Sequence, residues 1–193
     1  MNLQALGDEL YRALRDCSPV APLTERFPHI TIEDAYTISR RIFERRLADG
    51  EKLVGKKIGV TSKAVQNMLN VHQPDFGYLT DTMWYESGAQ MPVSTLMIQP
   101  RAEGEIAFKL KADLTGPGVT NADVLAATEC VYACFEVVDS RVANWKIKIQ
   151  DTIADNASSG MFVLGDSVSP DDVDFQGCRM VVTKNGEKLS EGL

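Results

Sequence analysis

The apolar residues change their spacing once along this chain, at Gly50, and that change limits the fold to one with helices and sheet segregated. Before it, Leu3, Leu6, Leu10 and Leu14 form one helical stripe and predict a helix over 3–14. A proline-bearing link follows over 18–28. Thr31 and Asp34 then stand at capping-box spacing, ahead of an apolar face made by Ala35, Ile38, Ile42 and Phe43. Arg45 and Arg46 suit the negative end of that helix, and Gly50 suits the left-handed residue just past it.

After Gly50 the pattern is that of strands. Residues 53–60 read as the first, and Thr61-Ser62 offers a cap for a helix carrying Val65, Met68 and Leu69. Pro74-Asp75-Phe76-Gly77 is turn chemistry. Residues 104–110 alternate as a half-buried strand does, and Asn121 caps a short helix to about Thr128. The near-continuous apolar run 131–138 marks a central strand, and 160–165 is a further short one. Residues 179–184 and 187–190 flank Asn185-Gly186 as a hairpin with a type I′ turn. The expected fold class is α+β: a helical segment over 1–50 and a β-rich body over 51–193, in one structural unit. The hairpin's return strand is short at Leu193, and a two-stranded ribbon is marginal alone, so the body is expected to be incomplete.

Charge narrows the function. Lys+Arg is 20 against Asp+Glu 27, a net charge of −7 with no basic block, which disfavours nucleic-acid partners. The longest uncharged stretch, 87–100, is broken by polar residues and two prolines, so no membrane span is expected. The first residues lack a positive-then-apolar signal. Cys17, Cys130, Cys134 and Cys178 have no metal-finger spacing; Cys130 and Cys134, in an apolar run, read as buried thiols of a cytoplasmic protein. With only His29 and His72, a three-histidine metal site is excluded, and His72 reads as a surface residue.

Carboxylates make the strongest constellation. Glu103 and Glu105, two apart in a strand, share a face, and Glu136 interrupts an apolar run where an unpaired charge costs several kcal/mol. If the three met in space they would form a hard-oxygen site suited to Mg²⁺ or Mn²⁺. Equally, Glu103 and Glu105 are compatible with a solvated strand and Glu136 with an arginine pair. Lys56 and Lys57 point to opposite faces of their strand, so one faces inward, where a desolvated lysine can move protons near neutrality. An edge strand protected by lysines has the same sequence. Gly50-x-x-x-x-Gly55-Lys56 imitates a phosphate loop, but Lys57 replaces the hydroxyl residue and the strand follows rather than precedes, which excludes nucleotide binding. Asn156-Ala157-Ser158 fits a glycosylation sequon without consequence in an unexported chain, and Asp155 to Gly160 reads as a polar loop whose donors could hold a carboxylate.

Five segments occur in one order: Gly55-Lys56-Lys57-Ile58-Gly59-Val60-Thr61-Ser62, Gln73-Pro74-Asp75-Phe76-Gly77, Pro100-Arg101-Ala102-Glu103-Gly104-Glu105-Ile106-Ala107, Phe135-Glu136-Val137-Val138-Asp139-Ser140-Arg141 and Ala154-Asp155-Asn156-Ala157-Ser158. Together they resemble the hydratase/decarboxylase branch of the fumarylacetoacetate hydrolase superfamily. The resemblance implies a barrel-like β-rich body, longer than the strands read here. It implies Glu103, Glu105 and Glu136 as ligands of a divalent cation, Mg²⁺ or Mn²⁺, Lys57 and Asp75 as catalytic residues, and Ser158 as a substrate contact. The implied substrate is a short 2-hydroxydienoate, the enol of an unsaturated 2-oxo acid, in aromatic meta-cleavage catabolism. Hydration is the expected reaction, decarboxylation the sister activity, and a non-catalytic partner subunit a further alternative. A homo-oligomer is expected, with the pathway's decarboxylase as a second candidate partner.

Overall fold

The computed structural model describes residues 1–192, without the side chains of Ala64, Met68 and Leu69, so the expected apolar roles of Met68 and Leu69 lie outside the described residues. The chain divides into two compact units, one made of Met1–Ala102 with Val137–Phe162, the other of Glu103–Glu136 with Val163–Leu193. Its strands form three sheets, Leu53–Gly59 with Asp75–Thr80, then Trp84–Tyr85, Met161–Val168, Thr128–Val138 and Arg101–Leu110 in that order, and Met180–Lys184 with Glu187–Gly192; among the described residues none of them closes.

The first unit opens with α1 (Leu3–Arg15), the short α2 (Leu23–Arg26) and α3 (Ile32–Ala48). The capping box is present as the spacing required: Thr31 Oγ1 accepts from the Asp34 N–H, and Asp34 Oδ2 accepts from the Thr31 N–H. Gly50 ends the helix at φ 94°, a conformation glycine adopts without a Cβ penalty. Helices α1 and α3 pack closely because Gly7 has no side chain; a Cβ there would collide with the Arg41 side chain. The core between them holds Leu6, Leu10, Ile38 and Ile42, and Ile149 and Ile153 of α7 (Ile149–Ala154) close it. Buried Asp151 of α7 ties down the proline-bearing link, accepting from Thr24 N at 3.0 Å and Thr24 Oγ1 at 2.7 Å.

Strand β1 (Leu53–Gly59) and β2 (Asp75–Thr80) form an antiparallel pair on either side of α4 (Lys63–Leu69), which Ser62 caps by accepting from the Val65 N–H. The Pro-Asp-Phe-Gly segment is therefore no turn. The chain enters β2 at Asp75, in the register Gly59↔Asp75 and Lys57↔Gly77. The glycine serves close approach instead: a Cβ at Gly77 would collide with the Asn156 carbonyl oxygen. Two stacked pairs, Tyr36–Phe76 and Phe43–Tyr78, with centroids 4.8 and 4.3 Å apart, seat the hairpin on α3. The two-residue β3 (Trp84–Tyr85) and the short α5 (Val93–Leu96) complete this unit, with Trp84 stacked on Phe162.

In the second unit lie most of β4 (Arg101–Leu110), β5 (Thr128–Val138) and β6 (Met161–Val168), with β5 central as its apolar run required. The run is less buried than expected: Phe135 is 42% exposed, and Cys130 and Cys134 are half-buried. Helix α6 (Asn121–Ala127) is capped by Thr120 rather than Asn121, because the Thr120 hydroxyl and the Asp123 carboxylate satisfy each other's backbone N–H groups. The expected hairpin forms from β7 (Met180–Lys184) and β8 (Glu187–Gly192), with Asn185 and Gly186 at φ 54° and 84° as a type I′ turn demands. No helix among the described residues is long and apolar enough to cross a membrane.

Candidate active site

Alternation along β1 turns the two lysines to opposite faces, and burial in the fold shows that Lys57 is the covered one. Lys56 is exposed, its ammonium 5.3 Å from the Phe76 ring centroid, whereas half-buried Lys57 turns the other way. Lys57 Nζ donates to the Ala157 carbonyl at 2.9 Å. Across the pair stands Asp75, 2% exposed, whose two carboxylate oxygens accept no hydrogen bond of normal geometry among the described residues. Burial pushes its carboxyl above the usual carboxylate range, and the Lys57 ammonium works against that rise. Gly59 makes room for both groups: a Cβ there would collide with Asp75 Oδ1 and come within 3.4 Å of Lys57 Nζ. An amine and a carboxyl poised together in a site of reduced solvation can exchange a proton with a bound molecule.

The carbonyl that receives Lys57 belongs to an unusual turn. Asn156, Ala157 and Ser158 all have left-handed backbones, at φ 54°, 51° and 51°, costing on the order of 1–2 kcal/mol each. Surrounding bonds hold them there. Asn156 Oδ1 accepts from Tyr78 N at 2.7 Å, and Asn156 Nδ2 donates to Tyr78 O at 2.9 Å. Ser158 Oγ pairs with Thr152 Oγ1 at 3.0 Å. Behind the turn, the buried Arg141 guanidinium donates to Asp155 Oδ1, to the Asp155 carbonyl and to the Ser159 carbonyl. Complete burial pushes the Asp155 carboxyl up to about 6 even though Arg141 opposes the shift. The segment read as an open polar loop is thus buried from Ala154 to Ser159, and its polar groups hold one another. Arg141 carried no assigned role in the sequence, and Asp155 and Asn156 entered only as part of a polar loop whose donors could hold a carboxylate.

The three glutamates lie in the second unit. Glu103 and Glu105 share a face of β4, the former exposed and the latter half-buried, while Glu136 on neighbouring β5 is 8% exposed. The Cys134 thiol is pushed up to about 11, first by burial and then by the charges of Glu105 and Glu136. As donors, three carboxylates suit a hard divalent cation. Among the described residues, though, no three acidic, histidine or cysteine groups already stand at cation-binding separation. The fit is therefore in donor chemistry and in strand placement, with Glu103 and Glu105 on one face of β4 and Glu136 on the neighbouring β5.

No protein-family model matches the chain. Individual relatives do. It is 69% identical over 191 residues to a 2-hydroxypent-2,4-dienoate hydratase of Pseudomonas putida, covering 98% of this chain and 86% of that protein. It is 58% identical over 193 residues to a 2-hydroxyhexa-2,4-dienoate hydratase of Comamonas testosteroni, covering 99% and 73%. Among solved structures, the 4-oxalocrotonate decarboxylase from Pseudomonas putida G7, complexed with magnesium and adipate, superposes with a TM-score of 0.94 at 36% identity, covering 98% of this chain and 72% of that one. Sequence identity of this extent along nearly the whole chain, joined to that fold, places it: the chain belongs to the hydratase/decarboxylase family of the fumarylacetoacetate hydrolase superfamily.

Proposed function

We propose that this chain is a hydro-lyase that adds water to 2-hydroxypenta-2,4-dienoate, giving 4-hydroxy-2-oxopentanoate in aromatic meta-cleavage catabolism. The observation that carries the reading is the Lys57 amine held by the Ala157 carbonyl beside the buried Asp75 carboxyl. The 69% identity to a hydratase of that substrate supports it.

Lys57 delivers a proton to C5 of the dienol while the C2 hydroxyl gives up its own, leaving the conjugated 2-oxo-3-enoate. Water then adds its oxygen at C4 and a proton reaches C3. Asp75 orients that water or takes its proton, since a carboxyl raised by burial is matched to proton exchange nearer neutrality than an ordinary one. Ser158, beside the carbonyl that holds Lys57, contacts the substrate. Glu103, Glu105 and Glu136 would hold a divalent cation, Mg²⁺ or Mn²⁺, which when bound supplies Lewis-acid stabilisation of charge developing on the substrate's oxygens. The proposal includes a cytoplasmic homo-oligomer and the family's barrel-like body.

Decarboxylation of 4-oxalocrotonate is the second reading, favoured by the 0.94 TM-score to a decarboxylase. Its 36% identity is about half of that to the hydratase, so hydration is preferred. The deciding experiment follows loss of dienol absorbance with Mg²⁺ or Mn²⁺, alongside carbon dioxide release from oxalocrotonate. Fast loss of the dienol without carbon dioxide supports the hydratase. The reverse supports the decarboxylase, and neither activity leaves a non-catalytic partner subunit.

A further inference from the structure

We propose that Asn156 is a positioning residue for catalysis: its carboxamide ties the turn carrying the Ala157 carbonyl to β2, and so sets where Lys57 presents its amine. This rests on the reading of Lys57 as the proton carrier.

The geometry is specific to asparagine. Its Oδ1 accepts from the Tyr78 N–H and its Nδ2 donates to the Tyr78 carbonyl, the two bonds a neighbouring strand would make. Nδ2 also donates to Ser159 Oγ at 2.5 Å, bracing the far side of the turn. Aspartate lacks the two donor bonds, and alanine lacks all three. Asparagine is also among the few residues that adopt the left-handed backbone readily, and Asn156 has φ 54°. Ala157, the next residue, receives Lys57 Nζ, and Lys57 stands opposite Gly77, the residue before Tyr78, in the β1-β2 register. A closed path therefore runs from Lys57 across the hairpin to Tyr78, through Asn156, and back through Ala157 to Lys57. Phe43 stacked on the Tyr78 ring anchors that path to α3. Gly77 is the other half of the device, because any Cβ there would drive the Asn156 carbonyl away from β2.

The test approaches one contact from both sides, with Asn156→Ala and Gly77→Ala, each compared with Lys57→Ala and with the Asn156→Ala/Lys57→Ala double variant. Both single variants are expected to melt cooperatively and to lose about 10–100-fold in kcat, the range a displacement near 1 Å produces, with KM changed far less. The double variant is expected to be no slower than Lys57→Ala, because the asparagine acts through the lysine. In the same samples, acetylation of Lys57 by a limiting reagent, read by mass spectrometry, is expected to rise when Asn156 or Gly77 is replaced. Losses that multiply in the double variant, or a Lys57 acetylation rate unchanged in both single variants, would overturn the proposal. Parent-level turnover in Lys57→Ala would remove the lysine reading instead, and the acetylation rates would still decide whether Asn156 places the amine.

Discussion

Replacing Arg141 by methionine tests how the active-site turn is held together, because a chain of similar length then lacks the guanidinium. Arg141 is 3% exposed and Asp155 wholly buried, and the arginine side chain donates to the Asp155 carboxylate and to the Asp155 and Ser159 carbonyls. Breaking one side of a buried ion pair costs about 3–5 kcal/mol, because the remaining charge stays desolvated. In a domain of this size that is about 6–20 °C in Tm. The loss has a defined pH dependence. Asp155 titrates at about 6 in the folded chain against an ordinary 3.8, so the folded state binds its proton more tightly. Its contribution is fully present below 3.8 and is lost as pH rises through 6. Removing Arg141 removes the attraction that opposes burial, so the folded value climbs further. Parent and variant then share one slope below pH 6, and their stabilities diverge only above it. Urea unfolding at pH 5.5 and pH 8 is the assay, with the larger gap expected at pH 8. A gap below about 1 kcal/mol at pH 8, or one equal at both pH values, would refute the argument that Arg141 acts by compensating a buried carboxylate.

Three further outcomes follow from the site. Lys57→Ala is expected to fold, to keep its cation affinity and to lose about 10²–10⁴ in turnover, whereas Lys56→Ala, altering an exposed side chain, loses far less; stopped-flow absorbance on both variants checks the facing argument. Glu136→Gln is expected to abolish Mg²⁺ or Mn²⁺ binding in calorimetry, since it removes one of three anionic donors; undiminished affinity would dismiss the triad. Asp75→Asn is expected to raise Tm at pH 8 while lowering turnover, because the carboxylate sits above its usual pKa range and is destabilised by burial when ionised; a lower Tm would show that the Lys57 attraction outweighs burial.

What the sequence determined by itself is what depends on local chemistry. The α3 capping box, the left-handed Gly50, the Ser62 cap and the type I′ turn at Asn185-Gly186 follow from side-chain and backbone options within a few residues, and all four form. The period-2 rule likewise separated Lys57 from Lys56, since alternation along a strand is independent of the partner strand. The tertiary structure decided what depends on distant neighbours. Pro-Asp-Phe-Gly has turn composition, yet pairing with β1 and the approach of Asn156 hold it as strand. Asp155 to Ser159 has loop composition, yet it is buried, with Asn156, Ala157 and Ser158 in left-handed backbone, against Arg141 and Tyr78, 14 and 78 residues away along the chain from their Asp155 and Asn156 partners. Which acids meet was equally out of reach of local pattern. A carboxylate's burial and its partners are set by which strands become neighbours, and the β5–β4 adjacency is what puts the strand of Glu136 beside that of Glu103 and Glu105.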